Sequence, residues 1–293
     1  MWKAKNSSDN LLNQLLMNTI RLCICFLGFS FAISAQTKIV SGIVVDSISK
    51  KAIPYVNIGI FYKNFGTITN EEGYFELQIP NELLHDSLTF SFVGFKMVTK
   101  PISGFSNQEK NQISLVEDNN ALDEVVLISK KPKIKKIGIR SHNPLLWGSV
   151  QNRDTYDIVE FGKVTHLHHK PSKLLSSHLY LNGVDGIDSA LVRLNFYNLA
   201  NDKPLKRIVF KMVAKKVSLQ KGWLVLNLDS YDIVLDEDFF MSFEIIPDVK
   251  FQNFSIYYGG KLGGGSSLAR MSSQGEWFKL NGANVTTYVT VKQ

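Results

Sequence analysis

The chain has 293 residues, with 33 Lys+Arg against 26 Asp+Glu, 6 His and 2 Cys. At about 100–200 residues per domain it holds one large or two modest domains, and a hydrophobic fraction of 44% excludes disorder throughout. Much of the formal charge of +7 falls in one stretch, Lys130, Lys131, Lys133, Lys135, Lys136 and Arg140, which reads as a solvated basic linker. A nucleic-acid groove needs basic residues spread over a folded face with stacking aromatics between them, so no nucleic-acid partner is expected.

Residues 1–35 read as a signal peptide. The run from Leu22 to Ala32 is apolar, Arg21 precedes it, and the small residues Ser34 and Ala35 follow. This is the order of a secretory signal, and the run is too short to span a bilayer as a helix. Cleavage after Ala35 leaves Gln36 first, whether translation starts at Met1 or at Met17. Both cysteines, Cys23 and Cys25, leave with the signal. The expected location is the periplasm, the outer membrane's periphery or the cell surface, with no transmembrane segment in the mature chain.

Beyond residue 36 the dominant period is two. Phe75, Leu77 and Ile79 alternate with polar neighbours, as do Leu88, Phe90 and Phe92. The same pattern recurs at Ala190, Val192, Leu194 and Phe196, and at Thr287, Val289 and Val291. Turn signals such as Asn70-Glu-Glu-Gly73, Asn182-Gly183 and Asn281-Gly282 separate these runs. Short alternating strands with polar turns predict an all-β protein built of sandwiches. Pro132, Pro144 and the lysines place the boundary at 129–145, leaving a first domain at 38–128 and a second at 146–293.

Five motifs of the first half occur in register: Gly42-Ile-Val-Val-Asp46, Ile53-Pro-Tyr-Val-Asn-Ile58, Gly66-Thr-Ile-Thr-Asn70 with Gly73-Tyr-Phe75, Val93-Gly-Phe95, and Leu122-Asp-Glu-Val-Val126. On these residues 38–128 resemble the carboxypeptidase-regulatory-like domain, a transthyretin-like or Ig-like β-sandwich of Gram-negative envelope proteins. Asn70 stands where Asp is usual and Phe95 where Tyr is usual. Gly66 and Gly73 are expected in turns that need positive φ, and Pro54 at a strand entrance. The resemblance implies no peptidase activity, because the catalytic zinc of carboxypeptidases sits in a separate domain. No His of this chain has Glu three residues on. Leu122–Val126 reads as a last strand leading to the linker.

The second half resembles a jelly-roll-like β-sandwich, through Arg193–Tyr197, Gly222–Leu228, Phe239–Ile245 and Gly275–Trp277. A small membrane barrel also fits the length, but Phe239-Phe240 and Ile245-Ile246 place apolar groups on both faces of a strand. His166 and His168 share a face if they lie on a strand, and His178 on a neighbouring strand completes a three-His metal candidate, with no carboxylate evident to orient the rings. Exposed histidines without metal are the plainer account. Asp236-Glu-Asp238 and Asp185/Asp188 lack the full spacing of a calcium loop. Gly259-Gly-Lys261 and Gly263–Ser267 lack the P-loop order and read as a mobile loop. Trp223 reads as core, while Trp277 and Tyr258 are candidates for stacking on a sugar. The expected function is a non-enzymatic binding or scaffolding protein of the envelope, without cofactor, its partner an envelope protein. The alternatives are a carbohydrate-binding accessory protein using the second sandwich, and a metal-dependent hydrolase built on the histidines.

Overall fold

A computed structural model describes residues 15–20, 37–106, 111–118, 132–153, 158–209, 211–249, 252–263 and 265–293. Two compact units divide the chain: Met1–Lys38 with Gln78–Leu84, and Ile39–Leu77 with His85–Gln293. In the smaller unit, residues 15–20 form a helical turn that exposes Leu15, Leu16, Met17 and Ile20. It also holds a 3-10 turn at Asn81–Leu83. The apolar run and cleavage region expected of a signal lie outside the described residues, as does Leu122–Val126. Among the described residues no helix is long and apolar enough to cross a membrane.

The protein is all-β. Its first seven strands are β1 (Thr37–Asp46), β2 (Asn57–Gly59), β3 (Gly66–Ile68), β4 (Tyr74–Pro80), β5 (Ser87–Ser91), β6 (Val98–Pro101) and β7 (Asn111–Leu115). They make a three-stranded sheet in the order β4-β1-β7 and a four-stranded sheet in the order β3-β2-β5-β6. In β4 the period of two is realised, with Phe75, Leu77 and Ile79 buried and Glu76 and Gln78 exposed. Gly73 has φ of +71° and closes its turn with Asn70, whose Oδ1 accepts from the N–H of Glu72 and Tyr74. Gly66 differs from expectation: it lies in β3, and a Cβ there would stand 2.4 Å from the Ile58 carbonyl oxygen. Close strand approach, not positive φ, requires that glycine. Pro54 precedes β2 by three residues, in a segment held by Thr69, whose hydroxyl donates to Ile53 O and accepts from Val56 N–H.

The remaining strands are β8 (Ile134–Gly138), β9 (Asn143–Asn152), β10 (Val159–Thr165), β11 (Ser172–Asp185), β12 (Ser189–Ala200), β13 (Lys203–Arg207), β14 (Val213–Ser218) and β15 (Gly222–Asn227). They continue with β16 (Val234–Leu235), β17 (Phe239–Pro247), β18 (Phe254–Lys261), β19 (Ser267–Arg270), β20 (Phe278–Lys279), β21 (Asn284–Val285) and β22 (Thr287–Lys292). One sheet runs β13-β12-β17-β10-β19-β20, with β14 also on β12. The other runs β21-β18-β11-β22-β8, with β15 and β16 on β11 and β9 on β18. Phe161, Leu179, Val192, Phe243, Ile256 and Val289 belong to the core these sheets share, each such side chain contributing about 1.5–3 kcal/mol by leaving water.

Two sequence expectations are corrected here. Residues 134–138 are strand β8 rather than linker, paired with β22 from Ile134↔Lys292 to Gly138↔Tyr288. An edge strand keeps one side open, so its lysines stay solvated there and discourage pairing with another chain. Gly259 and Gly260 lie in β18, not in a loop. A Cβ on Gly259 would stand 2.6 Å from the Tyr180 ring, and one on Gly260 2.4 Å from the Ala283 methyl.

Strand β17 is buried at every position. Phe239, Met241, Phe243 and Ile245 belong to the core between the sheets. On its other face Ile246 packs with Ile68 and Ile158, and Glu244 meets Asn57. Residues of the first half thus cover the back of the seven-stranded sheet within one compact unit. This cover explains the apolar pair Ile245-Ile246, while Phe240 of the other pair packs with Tyr197, Leu268 and Trp277 of the second half.

Candidate functional site

The covered face of the seven-stranded sheet carries four ionisable side chains in one cross-strand row. Arg193 on β12 is opposite Glu244 on β17, Glu244 is opposite Glu160 on β10, and Glu160 is opposite Arg270 on β19. Arg193 is fully buried and donates to Glu244 through Nε at 2.6 Å and Nη2 at 2.8 Å. It also donates to Tyr55 O at 2.7 Å and to Asn57 Oδ1. Arg270 Nε donates to Glu160 at 2.7 Å. Two adjacent carboxylates repel, and Asn195 relieves this by donating to both, at 2.9 and 2.8 Å. Glu160 Oε1 accepts further from Ser242 and from Tyr197 Oη. Burial alone would raise the Glu244 carboxyl, but the Arg193 guanidinium outweighs it and holds the group at about 2. Burial pushes the Tyr197 phenol up to about 12.

Above one end of this row lies a cleft of about 390 Å³, a size that suits a small ligand. Its rings are Phe61, Tyr62, Phe92 and Phe95 from the first half and Tyr197 and Trp277 from the second. Tyr62, with φ of +59°, is 80% exposed, and Leu205 at the rim is 59% exposed. Trp277 stands edge-on to Tyr197 and Phe240, and the Arg270 guanidinium lies 4.7 Å from its ring centre. Of the sequence candidates, Trp277 therefore lines a cavity. Tyr258 does not: it is 1% exposed, packed on Phe161 in the core, and its place as a ligand candidate is corrected.

Among the described residues four cations line the cleft, Lys96, Lys206, Arg207 and Arg270, against one carboxylate, Asp118. Arg270 is neutralised by Glu160. Half-buried Arg207 donates through Nε to Tyr197 Oη at 3.3 Å and lies over that ring. Among the described residues no carboxylate stands within ion-pair distance of it. Sequence reasoning missed Arg207 because β13 is short and lacks an apolar period.

Val93-Gly94-Phe95 on the cleft wall is one of the motifs that carried the family resemblance, and those from Gly42 to Phe75 lie in and between β1 and β4. Residues 40–127 match the CarboxypepD_reg-like domain family. The β-sandwich read from the sequence at residues 40–127 is thus a regulatory-like domain. No curated protein matches the chain. Among solved structures, the cysteine protease and lectin-like domains of Cwp84, a surface layer associated protein of Clostridium difficile, are similar at 11% identity and a TM-score of 0.39, over 82% of this chain and 59% of that one. The VP2 subviral particle of infectious bursal disease virus gives 9% identity and a TM-score of 0.26, over 87% and 64%. The chain spans less than two thirds of either protein, and likenesses this low carry no inference about function.

The exposed face of the eight-stranded sheet holds a second aromatic group. Trp223, expected in the core, is 38% exposed. It lies on β15 opposite Tyr180, and its ring stands near-perpendicular to Tyr180, His178 and Tyr288. The His178 ring stacks on Tyr288 at 4.1 Å. Burial, then the Lys136 charge, lower the His178 pKa.

The histidine trio does not form. His166 and His168 follow the end of β10, and His168 and His169 have φ of +56° and +55°, so the segment is a turn and not a strand. Carboxylates do orient these rings, contrary to expectation. His166 Nδ1 is 2.6 Å from Asp238, and His169 Nδ1 is 3.3 Å from Glu237. His178 is on β11 of the other sheet, bonded to Ser176 and Thr290. Asp185 and Asp188 flank the turn at Gly186, where φ is +87°. Among the described residues no three His, Cys, Asp or Glu are grouped to hold a metal.

Proposed function

We propose that the protein is an exported, non-enzymatic binding module of the cell envelope, whose ligand seats in the cleft between the regulatory-like domain and the seven-stranded sheet. The observation that carries this reading is the cleft itself: six rings from both halves of the chain surround a cavity above a buried charge row whose last member, Arg270, lines it. Exposed apolar side chains at the rim, Tyr62 and Leu205, are the kind of surface that marks an interaction site. The order of basic, apolar and small residues in 1–35 supports export. Thermal unfolding of the full chain against glycans, calcium, zinc and small aromatic ligands tests the reading. A ligand at 100 times its Kd adds about 2.7 kcal/mol, and Leu205→Asp at the rim is expected to abolish that gain. A gain that survives this substitution places the ligand elsewhere and refutes the cleft.

A second reading is glycan binding on the exposed face of the eight-stranded sheet. It is favoured by Trp223, a partly exposed ring braced by three perpendicular ones. Sugar-dependent Trp fluorescence lost in Trp223→Ala supports it, and a response unchanged by that substitution removes it.

A further inference from the structure

Arg207 is the one cleft guanidinium with no carboxylate within ion-pair distance among the described residues, and the charges of Glu244 and Glu160 reach it only from farther off. Arg270, its neighbour across Tyr197, already shares Glu160, and both guanidinium centres lie 5.8 Å from the Tyr197 ring centre. Among the described residues the planar fork of Arg207 is tethered only through Nε, at the long distance of 3.3 Å, which leaves its terminal N–H groups for an oxygen pair. Lys206 beside it and Lys96 from the first half add positive charge, and among the described residues Asp118 is the one lining carboxylate. Around that fork the walls are Phe61, Tyr62, Phe95, Met97, Leu205 and Trp277. A guanidinium takes a carboxylate through two parallel hydrogen bonds, and the rings around it take an apolar body. The cavity's volume sets the size of that body at a ring or a short aliphatic chain.

We propose that the cleft binds a small monocarboxylic acid with an aromatic or aliphatic body, its carboxylate paired with Arg207 and its body against Trp277 and the Phe61–Tyr62 wall. This deepens the binding reading and rests on it. The probes are 4-phenylbutyrate, its uncharged amide and inorganic phosphate, titrated calorimetrically into the full chain. The acid is expected to bind at least about tenfold more tightly than the amide, and phosphate not to compete. Arg207→Gln should erase the difference between acid and amide while Arg207→Lys keeps part of it, and circular dichroism checks that both variants fold. Because the acid–amide comparison is made on the unaltered protein, a variant that fails to fold leaves the test intact. Equal binding of acid and amide overturns the carboxylate assignment and leaves the cleft reading standing. Binding of neither overturns the small-acid proposal, and the cleft reading is then decided separately by the thermal panel with Leu205→Asp. Competition by phosphate removes the need for an apolar body, and tighter binding of a hexapeptide with a free C-terminal Phe replaces the small acid by a chain end. Either outcome refutes the proposal as stated.

Discussion

Strands β10 and β17 run antiparallel from Val159↔Ile245 to Thr165↔Phe239, and the two ends of this one pair treat charge in opposite ways. Near the first end Glu160 and Glu244 face each other, both fully buried and held by two arginines, Asn195, Ser242 and Tyr197. Just beyond the other, His166 and Asp238 meet in the open, with side chains 53% and 36% exposed. The chemistry is acid and base in both places. What differs is the cover, since the regulatory-like domain lies over one end and water over the other. A buried ion pair contributes little net stability compared with a packed apolar replacement, yet losing one partner is severe. An exposed pair gains little and loses little.

The largest expected effect follows from breaking the buried end. Arg193→Met removes the cation from Glu244 and the bonds to Tyr55 O and Asn57, leaving a charge in the interior. Equilibrium denaturation should show a loss of about 3–5 kcal/mol. The double variant Arg193→Met with Glu244→Met sharpens the comparison: it should recover much of that loss, because the penalty lies in the orphaned carboxylate. A double variant as unstable as the single one would mean that the row's own hydrogen bonds dominate.

Next is the acid limb of stability. Glu244 has a folded pKa lowered from 4.5 to about 2, so its contribution is present above the unfolded value and is lost as pH falls from about 4.5 through 2. Glu244→Gln should flatten the fall of stability over that window, at the cost of lower stability at pH 7. Melting temperatures of both proteins from pH 7 to 2 decide it. Parallel curves would show that other carboxylates set the acid limit.

This contrast also marks how far the sequence could be read. Alternation at Phe75–Ile79 and Ala190–Phe196 identified half-buried strands, because a period of two is a local property. The five motifs at Gly42 to Val126 were enough for the regulatory-like domain. The ionic row was illegible, since Glu160, Arg193, Glu244 and Arg270 meet only through strand register across the sheet, which no local pattern encodes. One trace of it was visible: the apolar pairs of β17 had no free face, which implied cover on both sides. Trp277 was found because an aromatic near a turn is conspicuous. Trp223 was misplaced for a related reason, since its face is set by the register that pairs it with Tyr180 across β11 and β15. The histidines misled because a two-residue spacing means a shared face only in a strand, and the left-handed residues His168 and His169 turn the chain there.

At the open end the effects shrink. Asp238 accepts from the N–H of Leu167 and His168 at 2.8 and 3.1 Å as well as from His166, so it fixes the turn as a side-chain cap. Partial burial works against its charge, but those three donors win and hold its pKa below the usual carboxylate value. Asp238→Ala should cost about 1 kcal/mol, the usual scale of a lost cap. His166→Ala should change stability by no more than about 0.5 kcal/mol, because it removes one of Asp238's three donors and leaves both backbone bonds in place. Urea midpoints of the two variants test the ordering. If His166→Ala proves as costly as Asp238→Ala, the ion pair rather than the cap holds the turn, and the difference between the two ends of the strand pair is smaller than their burial implies.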